Sequence, residues 1–334
     1  MLLAGGLRVY LSTCPLVETT DLIRNAAYSE AFWRHGFRVY DMLPGELNNQ
    51  HFNTNEWTYH TFDYPVFALL FFTGLLGVSQ SLTAFKLVLS ACDLIAALLV
   101  AKITRNSWLM LAAFAAPTSL WWTSLEGQTE AWMSVWTLLA LAALFRERFT
   151  RAWAWLGVAA QIKGVPVLLL PLFAALSGKR IKGYLIFALT FSASALALAY
   201  GSYVSRMFGP DYKPTGFNPV HWSPFWITQW MSKELIIADA IYSYTLFVVA
   251  VGGLGWALYR GLRGEAWFIR ALSHLPVILL IAYCKTGEWS QFWYFVMVPA
   301  FACAIVEPQV RAALIVLSAL EPRACSQLWT LLTS

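Results

Sequence analysis

Residues 82–104 read LTAFKLVLSACDLIAALLVAKIT. Its charged residues are Lys86, Asp93 and Lys102, and most of the rest are apolar. A hydrocarbon core takes about 20 such residues as one helix, so this stretch predicts a span. Asp93 sits mid-span, where an acid is costly and by default faces a partner or a cavity. A pairing with Lys163 or Arg8 and a catalytic task are equally open readings.

The rest of the chain agrees with that run. Of 334 residues, 59% are hydrophobic and 12% charged, and the mean hydropathy is +0.58. Soluble domains carry about a quarter charged residues, and a water-soluble fold of this length could not hide so much apolar surface. The fold class is therefore all-α, a polytopic membrane bundle forming one integral-membrane domain over 1–334. Spans are expected at 82–104, 107–124, 128–145, 183–204, 236–258, 271–285, 289–306 and 310–320, about 8–10 membrane segments once the short and broken pieces are included. The net charge of +5 comes from clusters such as RERFTR (146–151), SGKRIKG (177–183) and YRGLRGEAWFIR (259–270). Basic loops of that kind face the cytoplasm; they are not a nucleic-acid signature. The five cysteines, Cys14, Cys92, Cys284, Cys303 and Cys325, lack metal-like spacing.

With the 146–151 loop inside, SLEGQTE (124–130) lies outside, and so do two long polar segments, 13–63 and 205–232. Residues 1–12 are too short for a span, so either the start of the chain is truncated or the entry is thin. MLLAGGLRVYL has no basic n-region and no small-residue cleavage site. Residues 65–80 are also short and are expected to dip in and return. Residues 152–176 hold Lys163, Gly164, Pro166 and Pro171, which would break a helix into two halves meeting near Lys163. A break is tolerated in a membrane where protein or a wet cavity covers the freed backbone. In the first outer loop, DLIRNAAYSEAFWRHG (21–36) places Leu22, Ala26, Phe32 and Trp33 on one face and Arg24, Glu30 and Arg34 elsewhere, an amphipathic helix at the interface.

The polar residues gather on the outer side. Asp21 follows Glu18 in ETTD at the start of that helix; it reads as an N-terminal cap, as a general base for a sugar hydroxyl, or as both. Gln128 and Glu130 open a helix, where the dipole favours a carboxylate, or they hydrogen-bond a bound sugar. Lys163 at the break calls for a counter-ion: an acid such as Asp93, or a lipid-linked phosphate. Lys285, Glu288 and Gln291 form another polar mouth. His221 lies with Arg206 and Lys213 in the second outer loop, where a packed or solvated imidazole is the plain alternative. Transporters spread ionisable groups near the midplane and show paired halves, which are missing here. An enzyme acting on a lipid-linked substrate at the outer face fits better.

The series FDYP (62–65), SACDLIAALL (90–99), GQTEAW with LLALAALFRER (127–148), WLGVAAQIKGVPVLLLP (155–171), FNPVHWSPF (217–225) and CKTGEWSQFWYFVMVP (284–299) resembles GT-C superfamily glycosyltransferases. The likeness is nearest to the polyprenyl- or dolichyl-phosphate-mannose-dependent mannosyltransferases, including GPI mannosyltransferase I and the bacterial enzymes acting on phosphatidylinositol mannosides. The resemblance implies an inverting transfer of a sugar, mannose by likeness, from a polyprenyl-phosphate donor to a lipid-linked or glycolipid acceptor at the outer or luminal face. Asp21 would be the general base, with Glu18, Tyr64, Gln128, Glu130, Lys163, His221, Lys285 and Gln291 binding substrate. Part of the family has two acids spaced D-x-D in this loop; the second position here is Ile23, so no metal or other cofactor is expected. Membrane lipids and, as in some small mannosyltransferases, a small membrane partner subunit are the implied partners, and no nucleic acid. The alternatives are a non-catalytic GT-C-like subunit of a lipid-processing complex and a lipid or sugar transporter.

Overall fold

The computed structural model describes residues 1–16, 21–52, 62, 64–178, 180–192, 233–261, 267–286 and 292–333. Among these residues the regular structure is helical throughout, without a strand. The chain starts with α1 (Leu2–Thr13) and α2 (Asp21–His35), then α3 (Val66–Val78), α4 (Leu82–Thr104) and α5 (Ser107–Phe114). A short turn, α6 (Pro117–Ser119), leads through a π-helical segment (Leu120–Leu125) to α7 (Glu130–Leu144). Next come α8 (Phe149–Ala160), a 3-10 turn (Val165–Leu169), α9 (Leu170–Ser177) and α10 (Arg180–Phe191). Beyond residue 232, α11 (Lys233–Gly261), α12 (Trp267–Thr286), α13 (Val298–Ala302), α14 (Pro308–Ser318) and α15 (Pro322–Thr333) complete the series.

α4 has the bounds its hydropathy predicts; at 1.5 Å per residue its 23 residues reach about 35 Å, enough for a hydrocarbon core of about 30 Å. It and Ile241–Arg260 of α11 are the two described helices long and apolar enough to cross a membrane. The helices at the expected spans 128–145 and 310–320 have 15 and 11 residues, and the expected span 183–204 lies partly outside the described residues. The helix expected at 107–124 stops at Phe114, because Pro117 biases Ala116 to an extended conformation, φ −57° and ψ 125°. The helix expected at 289–306 is a 3-10 turn (Phe292–Met297) followed by the five residues of α13. The break expected near Lys163 is present: α8 ends at Ala160, Lys163 lies between helices, and Pro166 and Pro171 start the 3-10 turn and α9. Residues 193–232, which include the segment 205–232 expected as a second outer loop, lie outside the described residues.

α2 departs from the simple amphipathic pattern. Leu22 and Ala26 are buried, but so is Arg24, and Trp33 is exposed. Glu30 and Arg34 hold a loop rather than water. The Glu30 carboxylate accepts from the backbone N–H groups of Gln50, His51 and Phe52 at 2.8, 3.3 and 3.1 Å. Arg34 donates to the carbonyls of Asn48 and Leu47 at 2.7 and 3.0 Å. Partial burial pushes the Glu30 carboxyl upward, but the Gln50, His51 and Phe52 hydrogen bonds outweigh it and hold it below the ordinary value.

α4 lies against α7, α7 against α8, α8 against α10, and α11 against α12 and α14. The ring of Trp132 on α7 stacks on Phe71 of α3, centroids 3.8 Å apart and 18° between planes. The buried acid of α4 pairs with α1: Arg8 makes an ion pair with Asp93 and donates to Ser124 Oγ at 2.8 Å, Ser119 Oγ at 3.0 Å and the Phe114 carbonyl at 3.2 Å. Ser119 also donates to Asp93. The choice left open for Asp93 thus falls on Arg8, and one guanidinium ties α1, α4 and the chain on both sides of α6 together.

Removing one member of a buried pair strands the other charge at a cost of about 3–5 kcal/mol, whereas replacing both can be neutral. Arg8→Met should therefore lower the thermal denaturation midpoint sharply, and Arg8→Met with Asp93→Leu should recover most of the loss; no recovery would mean the pair is not what Arg8 contributes. Glu30 is lowered on folding, so its stabilisation is complete above the ordinary value of 4.5 and fades as pH falls through the folded value. Glu30→Gln should lower the midpoint above pH 4.5 and flatten its fall in acid; a wild-type acid limb in the variant would refute the latch.

Candidate functional site

Three local features bring these polar residues together. The backbone widens before α7: the Glu126 N–H donates to the Trp121 carbonyl at 3.0 Å, five residues back, and the Gln128 N–H to the Trp122 carbonyl at 2.9 Å. Such π-type widening is frequent at functional sites. Gly127 then turns with φ +68°, and a Cβ there would lie 2.5 Å from Leu22 Cδ2. Only glycine both takes that conformation without strain and lets the first turn of α2 sit this close. The third feature is the break after α8, which frees Lys163 from helical packing and points it toward the first residue of α7.

Asp21, the first residue of α2, is half-buried; its Oδ1 lies 3.2 Å from the Arg24 guanidinium, and its Oδ2 accepts from Gln128 Nε2 at 3.4 Å. Glu130 is fully buried and makes an ion pair with Lys163, leaving its second oxygen, Oε2, without a hydrogen-bond partner among the described residues. The Lys163 ammonium also faces the rings of Tyr294 and Tyr64, 4.6 and 5.3 Å from their centroids, and the Arg24 guanidinium lies 5.7 Å from the Tyr64 ring. Tyr64 thus stands between two cations, at distances where cation–π attraction operates, and its carbonyl accepts from Tyr40 Oη at 3.1 Å. Burial above all pushes the Tyr64 phenol up to about 12; Lys163 and Arg24 act against that, and Asp21 and Glu130 add to it. Its hydroxyl therefore remains a proton donor at neutral pH.

Of the residues expected in a site, Asp21, Tyr64, Gln128, Glu130 and Lys163 form this one cluster. The counter-ion of Lys163 is Glu130, and Asp93 belongs to the separate pair with Arg8. Glu18, His221 and Gln291 lie outside the described residues, as does the side chain of Lys285. Arg24 and Tyr294 are members that sequence reading passed over. Arg24 had a signal, since three residues after Asp21 is a helix-neighbour position. Tyr294 had none; it lies in the aromatic run QFWYF (291–295) and reaches Lys163 only through tertiary packing.

The cluster has a partly accessible carboxylate at its rim, a buried ion pair beneath it and a protonated phenol between two cations. Charges of both signs balance within it, Asp21 and Glu130 against Arg24 and Lys163, and of the four side chains Asp21 is the most accessible. Among the described residues no group of three or more His, Cys, Asp or Glu side chains could hold a metal.

If Lys163 exists to neutralise Glu130, Lys163→Met should lower the denaturation midpoint strongly, by an amount equivalent to about 3–5 kcal/mol. Glu130→Gln in the Lys163→Met background should then restore stability, and equal losses that simply add would refute the coupling. No family model matches the chain, and no curated protein or solved structure matches it.

Proposed function

We propose that this chain is a multi-pass membrane glycosyltransferase of GT-C type that transfers a sugar, with inversion, from a polyprenyl-phosphate donor to a lipid-linked or glycolipid acceptor. One observation carries the reading. The five candidate residues Asp21, Tyr64, Gln128, Glu130 and Lys163, drawn from four separate sequence motifs, converge on one cluster with a carboxylate at its rim.

The apolar surface supports a membrane setting. In the span of α11 only 28% of the apolar window is buried, and Ile241, Tyr244, Val248 and Trp256 are more than half exposed. A core helix of a water-soluble fold would bury such residues; large exposed apolar patches mark contact with a membrane or a partner. Charge supports the orientation. α7 runs from Glu130 in the cluster to Leu144, about 22 Å at helical rise, so the basic run RERFTR lies at the end away from the acids. Basic loops inside put the cluster at the outer or luminal face.

In this reaction the acceptor hydroxyl gives its proton to the Asp21 carboxylate as its oxygen attacks the anomeric carbon. The bond from that carbon to the phosphate oxygen breaks, the electron pair leaves with polyprenyl phosphate, and the attack from the opposite face inverts the centre. Gln128 and Arg24 orient the base. Arg24 and Lys163 supply the positive charge that the leaving phosphate demands, and Glu130 holds Lys163 ionised and in place. The non-catalytic reading has one feature in its favour: Ile23 occupies the position where part of the family carries a second acid.

The test is transfer of radiolabelled mannose from polyprenyl-phosphate-mannose to a mixture of inositol phospholipid glycans by the purified chain. A general base contributes roughly 10²–10⁴-fold, so Asp21→Asn should slow transfer by at least 10²-fold while donor binding persists. Wild-type rates in the variant would remove Asp21 from the chemistry. Donor bound but never transferred would favour the non-catalytic subunit, and no donor binding would end the enzyme reading.

A further inference from the structure

A second site lies at the opposite end of the bundle. The turn after α7 is closed by the Glu147 N–H donating to Leu144 and the Arg148 N–H to Ala143, at 2.9 and 2.8 Å, with Glu147 left-handed at φ 58°. This is a Schellman closure, and it turns the chain sharply into α8. α10 then comes close to α8 because residue 183 is glycine: a Cβ there would collide with the Trp153 ring. The Trp153 indole is fixed by its N–H donating to Ser177 Oγ at 3.3 Å. Between the turn, α8 and the start of α10 these constraints leave an open cavity of about 480 Å³, lined by Arg148, Arg151, Lys182, Glu147 and Trp153 among others.

The three cations are exposed, and among the described residues none has an ion-pair partner. One acid, Glu147, faces three bases, so the cavity favours an anion. Its volume is far larger than a lone water or halide needs and has room for a phosphate with a polar substituent. The surface leading away from it is apolar. On α10, Ile181, Leu185 and Leu189 are 79%, 66% and 75% exposed, and their spacing of four residues puts them on one helix face. A basic cavity continued by an apolar stripe is complementary to an amphiphile with an anionic head. We infer that this cavity binds the phosphate headgroup of an anionic membrane phospholipid, with an acyl chain along the Ile181–Leu185–Leu189 face. The inference rests on the membrane reading and is independent of the transfer chemistry at Asp21.

Native mass spectrometry of the full chain released from detergent tests it, with dioleoylphosphatidylglycerol or dioleoylphosphatidylcholine added at equal concentration. The wild type should retain phosphatidylglycerol in preference to phosphatidylcholine. Since each basic side chain near a membrane surface contributes measurably to anionic-lipid attraction, the triple variant Arg148→Gln, Arg151→Gln, Lys182→Gln should weaken retention by roughly tenfold or more. Lys102→Gln with Arg105→Gln, which removes two cations of α4 outside the cavity, should not. Glu147→Gln should strengthen retention, a gain that misfolding cannot produce. Equal retention of the two lipids, full retention by the triple variant, or equal loss in the α4 variant would overturn the site. Displacement of the lipid by inorganic phosphate at equal concentration would make it a site for a soluble anion and overturn the membrane source. Lipid retention by a protein inactive in sugar transfer would leave this inference standing while removing the enzymatic one.

Discussion

The ion pair between Glu130 and Lys163 is the contact on which the candidate site depends. It joins the first residue of α7 to the break after α8, two points 33 positions apart in sequence. In an apolar bundle an isolated charge is so costly that each of these residues fixes the place of the other. The break exposes backbone that a continuous helix would satisfy, and the phenol rings of Tyr64 and Tyr294 close around the ammonium there. Tyr64 in turn meets Arg24, and Arg24 meets Asp21. A chain of contacts thus runs from the buried pair to the accessible carboxylate at the rim.

The same physics operates a second time below the site. Arg8 and Asp93 neutralise one another, and the remaining guanidinium donors are spent on Ser119, Ser124 and the Phe114 carbonyl. Ser124 also accepts from Ser90 at 2.9 Å, so these serines of α4, α6 and the π-helical segment join Arg8 and Asp93 in one polar network inside apolar surroundings. This network secures α1, which with 12 residues is far too short to be held by length alone. It also steadies the widened backbone that leads to Gly127 and the site.

Charge is separated along the bundle. Among the described residues, acids and their partners gather where α2 and α7 begin, and bases gather where α7 ends and where α8 and α10 begin. That polarity gives the two ends different character: carboxylates with their cation partners at one, exposed basic side chains at the other. Ile181, Leu185 and Leu189 of α10 and one face of α11 are exposed, the kind of apolar surface that meets a membrane or a partner.

Local chemistry made much of this legible in the sequence. Apolar runs marked α4 to the residue, because helix length and hydropathy are properties of a continuous stretch, and Pro166, Pro171 and Gly164 marked the break at Lys163, because proline and glycine act on their own backbone. The motifs around Asp21, Tyr64, Gln128, Glu130 and Lys163 singled out five residues that do meet. Which charge pairs with which was decided only by the tertiary structure. Asp93 had two cations to choose from, and nothing local distinguishes Arg8 from Lys163; packing placed α1 beside α4 and the broken segment beside α7. The burial of Arg24 beside Leu22 and Ala26 on α2 is decided in the same way, since polarity alone does not say that an arginine will be drawn inward by an aspartate and a tyrosine. Tyr294 joined the site with no local signal at all, because a cation selects an aromatic ring by proximity in space, and proximity in space is what a linear sequence does not record.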